Sequence, residues 1–148
     1  MSATNAFETA LLQHIFQNAD VALIGDATGL RGSSNAGSLF VSLHTADPGE
    51  TGNQTTSETT YTGYARQAVA RSVSGWAVSG NNASNISPVT FGPCTSGTAT
   101  ITHFGIGTAS TGTGSLLFKG ALAASISVTT SSNATQTFAV GAIDVDAD

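Results

Sequence analysis

Three histidines, one cysteine and nine carboxylates are the residues from which this chain could build a catalytic or metal site. His44 and His103 lie in strand-like segments and could share a metal ion if those strands are neighbours. His14 lies beside the apolar stripe of a helix. No His-x-His or His-Glu-x-x-His spacing supports a metal, so ordinary hydrogen bonds at the core edge are expected of all three. Cys94 stands between Pro93 and Thr95 with no adjacent cation to lower its pKa, which predicts a buried structural thiol. A lone cysteine excludes an intramolecular disulfide and a Cys-based zinc site. Asp47, Glu50 and Glu58 could serve as a glycosidase acid and base, but all three fall in or beside one polar loop, where no rigid frame tunes them. Gly-x-Ser-x-Gly is absent, and Gly105-x-Gly107 follows a strand without opening a helix, so neither an esterase elbow nor a nucleotide loop is indicated. Asp144, Asp146 and Asp148 resemble the start of a calcium loop but lack its glycine and closing glutamate; carboxylates on the solvent face of a strand are expected, with weak calcium capture the alternative. The Asn-x-Ser/Thr sites at Asn53, Asn82, Asn85 and Asn133 arise readily by chance in so Ser/Thr-rich a chain.

The surrounding composition narrows the partners. Only 9% of the 148 residues are charged, and Arg31, Arg66, Arg71 and Lys119 are the only Lys or Arg against a formal net charge of −5. Four scattered cations cannot form the basic stripe that nucleic acid requires, and an anionic membrane is disfavoured for the same reason. The sequence shows no basic leader, and its longest aliphatic run is Val21–Ile24, so neither a secretory signal nor a transmembrane helix is expected. With 40% hydrophobic residues and little charge the chain should fold as one domain over residues 1–148. A surface so poor in charge suits coverage by neighbours.

The elements that position these residues are read from periodicity. Residues 5–18 predict the one helix, with Asn5 as N-cap, Glu8 completing a capping box, and Phe7, Leu11 and Ile15 forming an apolar stripe that Leu12 and Phe16 widen. Asp26–Ser38 is a Gly/Ser-rich loop. The period then drops to two: over Ser38–Ala46, Leu39, Val41 and Leu43 share one face, and Phe40, Ser42 and His44 the other. Asp47-Pro48-Gly49 ends that strand, and Glu50–Thr60 reads as a long exposed loop. Further strands are expected near Gly63–Ala70, Gly75–Ser79, Pro88–Gly92, Thr98–Thr108, Ser115–Leu122, Ser125–Thr129 and Gln136–Val145, with a hairpin at Thr111-Gly112-Thr113-Gly114. One helix and about eight short strands predict a mainly β fold, an antiparallel β-sandwich or jelly roll. Arg66 and Arg71 bracket a strand and Trp76 follows. They are either sheet-edge charges and a core tryptophan, or, with Phe7, Leu11 and Ile15, anchors of a subunit or shell interface.

Three segments together carry a family resemblance: Leu39-Phe40-Val41-Ser42-Leu43-His44-Thr45-Ala46-Asp47-Pro48-Gly49-Glu50, Tyr61-Thr62-Gly63-Tyr64-Ala65-Arg66 and Thr102-His103-Phe104-Gly105-Ile106. With Leu116-Leu117-Phe118-Lys119-Gly120-Ala121-Leu122 they resemble small tailed-bacteriophage virion structural proteins, over most of residues 5–145. The resemblance implies a non-enzymatic virion part without cofactor or catalytic residues. Head-associated and tail-fibre-like members both occur. A capsid decoration, or cement, protein on the outer shell is the leading expectation: a homo-oligomer, with a trimer favoured, clamping the major capsid protein by many summed contacts. The alternative is a tail, baseplate or fibre-associated protein contacting tail proteins. An enzyme such as a glycan hydrolase is the third reading, and it requires a tuned carboxylate pair. Either virion reading implies assembly in the host bacterial cytoplasm.

Overall fold

The computed structural model describes residues 3–26, 28–130 and 135–147. The fold is mainly β, 41% strand and 9% helix, with antiparallel sheets and one N-terminal helix, consistent with the expected β-sandwich class. In chain order the described elements are α1 (Asn5–Gln17), β1 (Ser38–His44), β2 (Gln67–Ala70), β3 (Trp76–Ser79), β4 (Asn82–Asn85), β5 (Val89–Phe91), β6 (Thr98–Gly107), β7 (Leu116–Thr129), β8 (Gln136–Phe138) and β9 (Asp144–Asp146). They form sheets in the orders β2-β1-β6-β7, β3-β4-β9 and β5-β8. No helix among the described residues is long and apolar enough to cross a membrane.

The chain divides into two compact units, each built from separated segments. Unit 1 takes its residues from 3–38, 69–88 and 139–147; unit 2 takes them from 39–68 and 89–138.

In unit 1, α1 packs on the β3–β4 hairpin. Its buried stripe is Glu8, Leu12 and Phe16, not Phe7, Leu11 and Ile15, which stay exposed or half-buried. The rotation has a cause: Phe16 meets the ring of Trp76 edge-on at 4.7 Å, and both side chains are fully buried. An aromatic pair of this geometry contributes beyond its area and sets the face that turns inward. The helix begins one residue earlier than a capping box allows. Thr4 is the N-cap, without a side-chain cap bond, and Asn5 is already helical. Asn18 ends α1 in the left-handed conformation, as its position past the last apolar residue suggests. β4 has little strand propensity and no apolar alternation. It is fixed from outside, by pairing with β3 and β9 and by burial of Ala83 and Asn85.

In unit 2, β1 pairs with β6 and β6 with β7. Leu39, Val41 and Leu43 are buried as expected, and so are Ser42 and His44, so this end of β1 is covered on both faces. The two strands expected at Ser115–Leu122 and Ser125–Thr129 are one strand, β7, whose register against β6 shifts between Ala121 and Ile126. The expected break is thus a bulge inside an element rather than its end. Conversely, Gln136–Val145 divides into β8 and β9, with the chain turning at 140–141.

Candidate functional site

Polar residues that could do chemistry are concentrated in unit 2, where the 47–66 segment meets the β6–β7 hairpin. The segment begins with Asp47-Pro48-Gly49, where the Gly49 N–H donates to Asp47 Oδ1 at 2.9 Å and Gly49 takes φ +75°. It does not continue as an exposed loop. Gln54 and Thr59 are buried within it, and Glu58 is half-buried, because each inward side chain but one finds partners on the hairpin or on the 61–66 stretch. Gln54 Oε1 accepts from Ala109 N–H at 2.9 Å, its backbone N–H donates to Thr113 O at 3.0 Å, and a Cβ at Gly107 or Gly114 would run into its side chain. Thr59 is the exception; its buried Oγ1 has no partner among the described residues.

Glu58, Tyr64 and Arg66 form the most strongly built group. Arg66 Nε and Nη2 each donate at 2.7 Å to the two oxygens of Glu58, a bidentate pair whose side chains are 3% and 14% exposed. The remaining guanidinium donors reach the hairpin carbonyls of Ala109 (2.9 Å) and Gly112 (2.7 Å). Tyr64 Oη donates to Glu58 Oε1 at 2.7 Å and accepts from Leu43 N–H at 3.1 Å. Hydrogen bonding to Glu58 raises the Arg66 pKa, and burial, aided by Glu58, pushes the Tyr64 phenol far up. A surface cleft of about 330 Å3 lies over this group, lined in part by Thr60, Tyr61, Ala65 and Thr111. Both Glu58 oxygens already accept charged donors, so it is a brace and not a base waiting for a substrate.

The other carboxylate candidates are also engaged. Asp47 and Glu50 contact the Lys119 ammonium at 3.1 and 3.0 Å, and Glu50 is 90% exposed. Donation from Gly49 and then Lys119 holds the Asp47 carboxyl below the usual range, whereas a general acid needs the opposite shift.

His44 and His103 are indeed cross-strand partners on β1 and β6. Yet both ring nitrogens of His44 are in use. Nδ1 lies 2.8 Å from Thr56 O and Nε2 lies 2.8 Å from Ser42 Oγ. A carbonyl can only accept, so Nδ1 carries the proton and Ser42 donates to Nε2. His103 Nδ1 bonds Thr102 Oγ1 and His14 Nδ1 bonds Ala19 O. No cluster of three or more His, Cys, Asp or Glu suited to a metal occurs among the described residues. Cys94 is buried, with Sγ directed at the Ser96 and Gly97 carbonyls.

In unit 1 Arg71, Asp144 and Asp146 also have internal partners. Arg71 donates to His14 O (2.6 Å) and Ile15 O (2.7 Å), carbonyls that the end of α1 leaves open, so it caps the helix where a cation is favoured. Trp76 is core, its Nε1 without a hydrogen-bond partner among the described residues. Arg66, Arg71 and Trp76 thus make the contacts described here inside the chain. Phe7 is 43% exposed, and Leu11 and Ile15 are half-buried. Asp144 and Asp146 share one face of β9 and both accept from Asn82 Nδ2; Asp148 and Asn133 lie outside the described residues. Asn85 is a buried tie, donating to Ser87 O and Ala139 O and accepting from Ile143 N–H. Sequence reading missed Gln54 and Asn85, which single polar letters in Thr- and Ser-rich stretches do not signal.

The polar side chains described above in unit 2 are taken up largely by hydrogen bonds within the chain. The family model described as Podophage GP4 fiber I protein gp80 matches residues 2–146, and the chain belongs to that family of phage structural proteins. No curated protein matches the chain.

Proposed function

We propose that the chain is a fibre-associated structural component of a podophage virion, acting by binding and bracing rather than by catalysis. The match of residues 2–146 to a family described as a podophage fibre protein carries this reading. It favours the tail-side alternative over the shell decoration that the sequence put first. The brace at Glu58, Tyr64, Arg66 and Gln54 supports it: a part that must hold its shape under load gains from loops tied to a hairpin by charge-assisted bonds. Its partners in this reading are other tail proteins and copies of itself.

Quantitative mass spectrometry of purified virions tests the proposal. A low copy number set by tail symmetry is expected. A number in simple ratio to the major capsid protein would return the chain to the shell and overturn the fibre reading.

A further inference from the structure

Seven of the eight large hydrophobic residues exposed among the described residues lie in unit 1, and the most exposed is Leu23, at 78%. Leu23 also has φ +64°, a left-handed conformation that is costly for a bulky side chain. A residue both strained and solvent-facing contributes little to its own unit. Glycine would relieve the strain there.

The loop that presents it is firmly built. Val21 and Leu30 exchange backbone hydrogen bonds at 2.8 Å, Asn18 Oδ1 accepts from Ser33 N–H, and Asp20 pairs with Arg31 at 2.9 Å while accepting from Gly32 N–H. A Cβ at Gly29 or Gly32 would strike the Val21 or Asn18 carbonyl, so the two limbs of the neck approach as closely as glycine permits. Ile24 and Leu30 are exposed beside the tip. The charges around it are uneven: Arg31 is paired with Asp20, whereas among the described residues Asp26 has Thr28 and Gly29 as donors, which lower its pKa and keep it ionised. Glu8 is buried and Asp20 is paired with Arg31, so Asp26 is the carboxylate that the loop leaves without a cation among the described residues.

We infer that Leu23 and Ile24 form a preformed apolar anchor that inserts into an apolar, basic-rimmed pocket on a different protein of the virion. The inference rests on the virion reading above. Charge complementarity selects the partner: a second copy docked tip to tip would bring Asp26 against Asp26, and an anionic lipid would also oppose it. The rigid neck limits the ordering cost of docking.

Leu23→Gly separates this role from a structural one. The isolated variant should keep or raise its Tm, while its incorporation into virions falls by about tenfold or more, as for an interface hot spot. Val73→Ser, which removes another exposed apolar group, should leave incorporation near wild type. Photo-crosslinking from Leu23→p-benzoylphenylalanine should land on one other virion protein, close to Lys or Arg. Wild-type incorporation of Leu23→Gly, an equal loss in Val73→Ser, a lowered Tm, or crosslinks to a second copy, to an acidic surface or to nothing would each overturn the anchor. Absence of the wild-type chain from virions would instead overturn the functional reading.

Discussion

Removing Arg66 strands the Glu58 carboxylate in a half-buried place with one donor, Tyr64, still attached. Arg66→Ala should therefore cost roughly 3 kcal/mol in urea unfolding, and the double variant with Glu58→Ala should recover part of that loss. An additive double variant would mean the pair carries no coupling. His44 gives the pH dependence. Burial lowers its pKa against the pull of Thr56 O and Glu58, with Arg66 and His103 lowering it further. The folded state thus prefers the neutral ring, the unfolded chain binds the proton more readily, and stability falls as pH drops through the unfolded value of about 6.5. The urea midpoint should decline between pH 7.5 and 5, and His44→Asn, which keeps a donor for Thr56, should flatten that decline. An unchanged slope would assign the acid sensitivity to other groups. At this scale the sequence was partly legible. Asp47, Pro48 and Gly49 announce their turn because their chemistry is local. Glu58 and Arg66 do not announce their pairing, because seven residues of irregular chain separate them.

The elements tell a similar story through α1. Its existence and end are visible in the spacing of apolar residues and in Asn18. The face it buries is not, because Glu8 interrupts the stripe that Leu12 and Phe16 complete, and only the Phe16–Trp76 contact decides the rotation. Arg71 acts at the same level. Arg71→Ala should leave the His14 and Ile15 carbonyls to water and cost about 1–2 kcal/mol, read as loss of helical ellipticity at lower temperature than in wild type. Full retention of the thermal profile would remove Arg71 from the cap. β4 marks the limit of propensity reasoning: three small polar residues and an alanine become a central strand because both neighbours supply the ladder.

For the whole molecule, the mainly β class with an N-terminal helix followed from alternation and turn residues, whereas the division into interleaved units did not, since it depends on which distant segments meet. The family match places the chain among phage structural proteins, and copy number in the virion decides between tail and shell. The interleaving also bears on synthesis. Unit 2 has all its segments once residue 138 has been made, but unit 1 waits for 139–147, which bring β9 and the Ala139 and Ile143 partners of Asn85. On the ribosome, α1 and the β3–β4 hairpin must therefore persist as an unfinished core while the next fifty residues emerge, a delay of several seconds at about 5–20 residues per second. Ribosome-bound chains in which residue 138 has just left the exit tunnel should present unit 1, not unit 2, to chaperones and proteases.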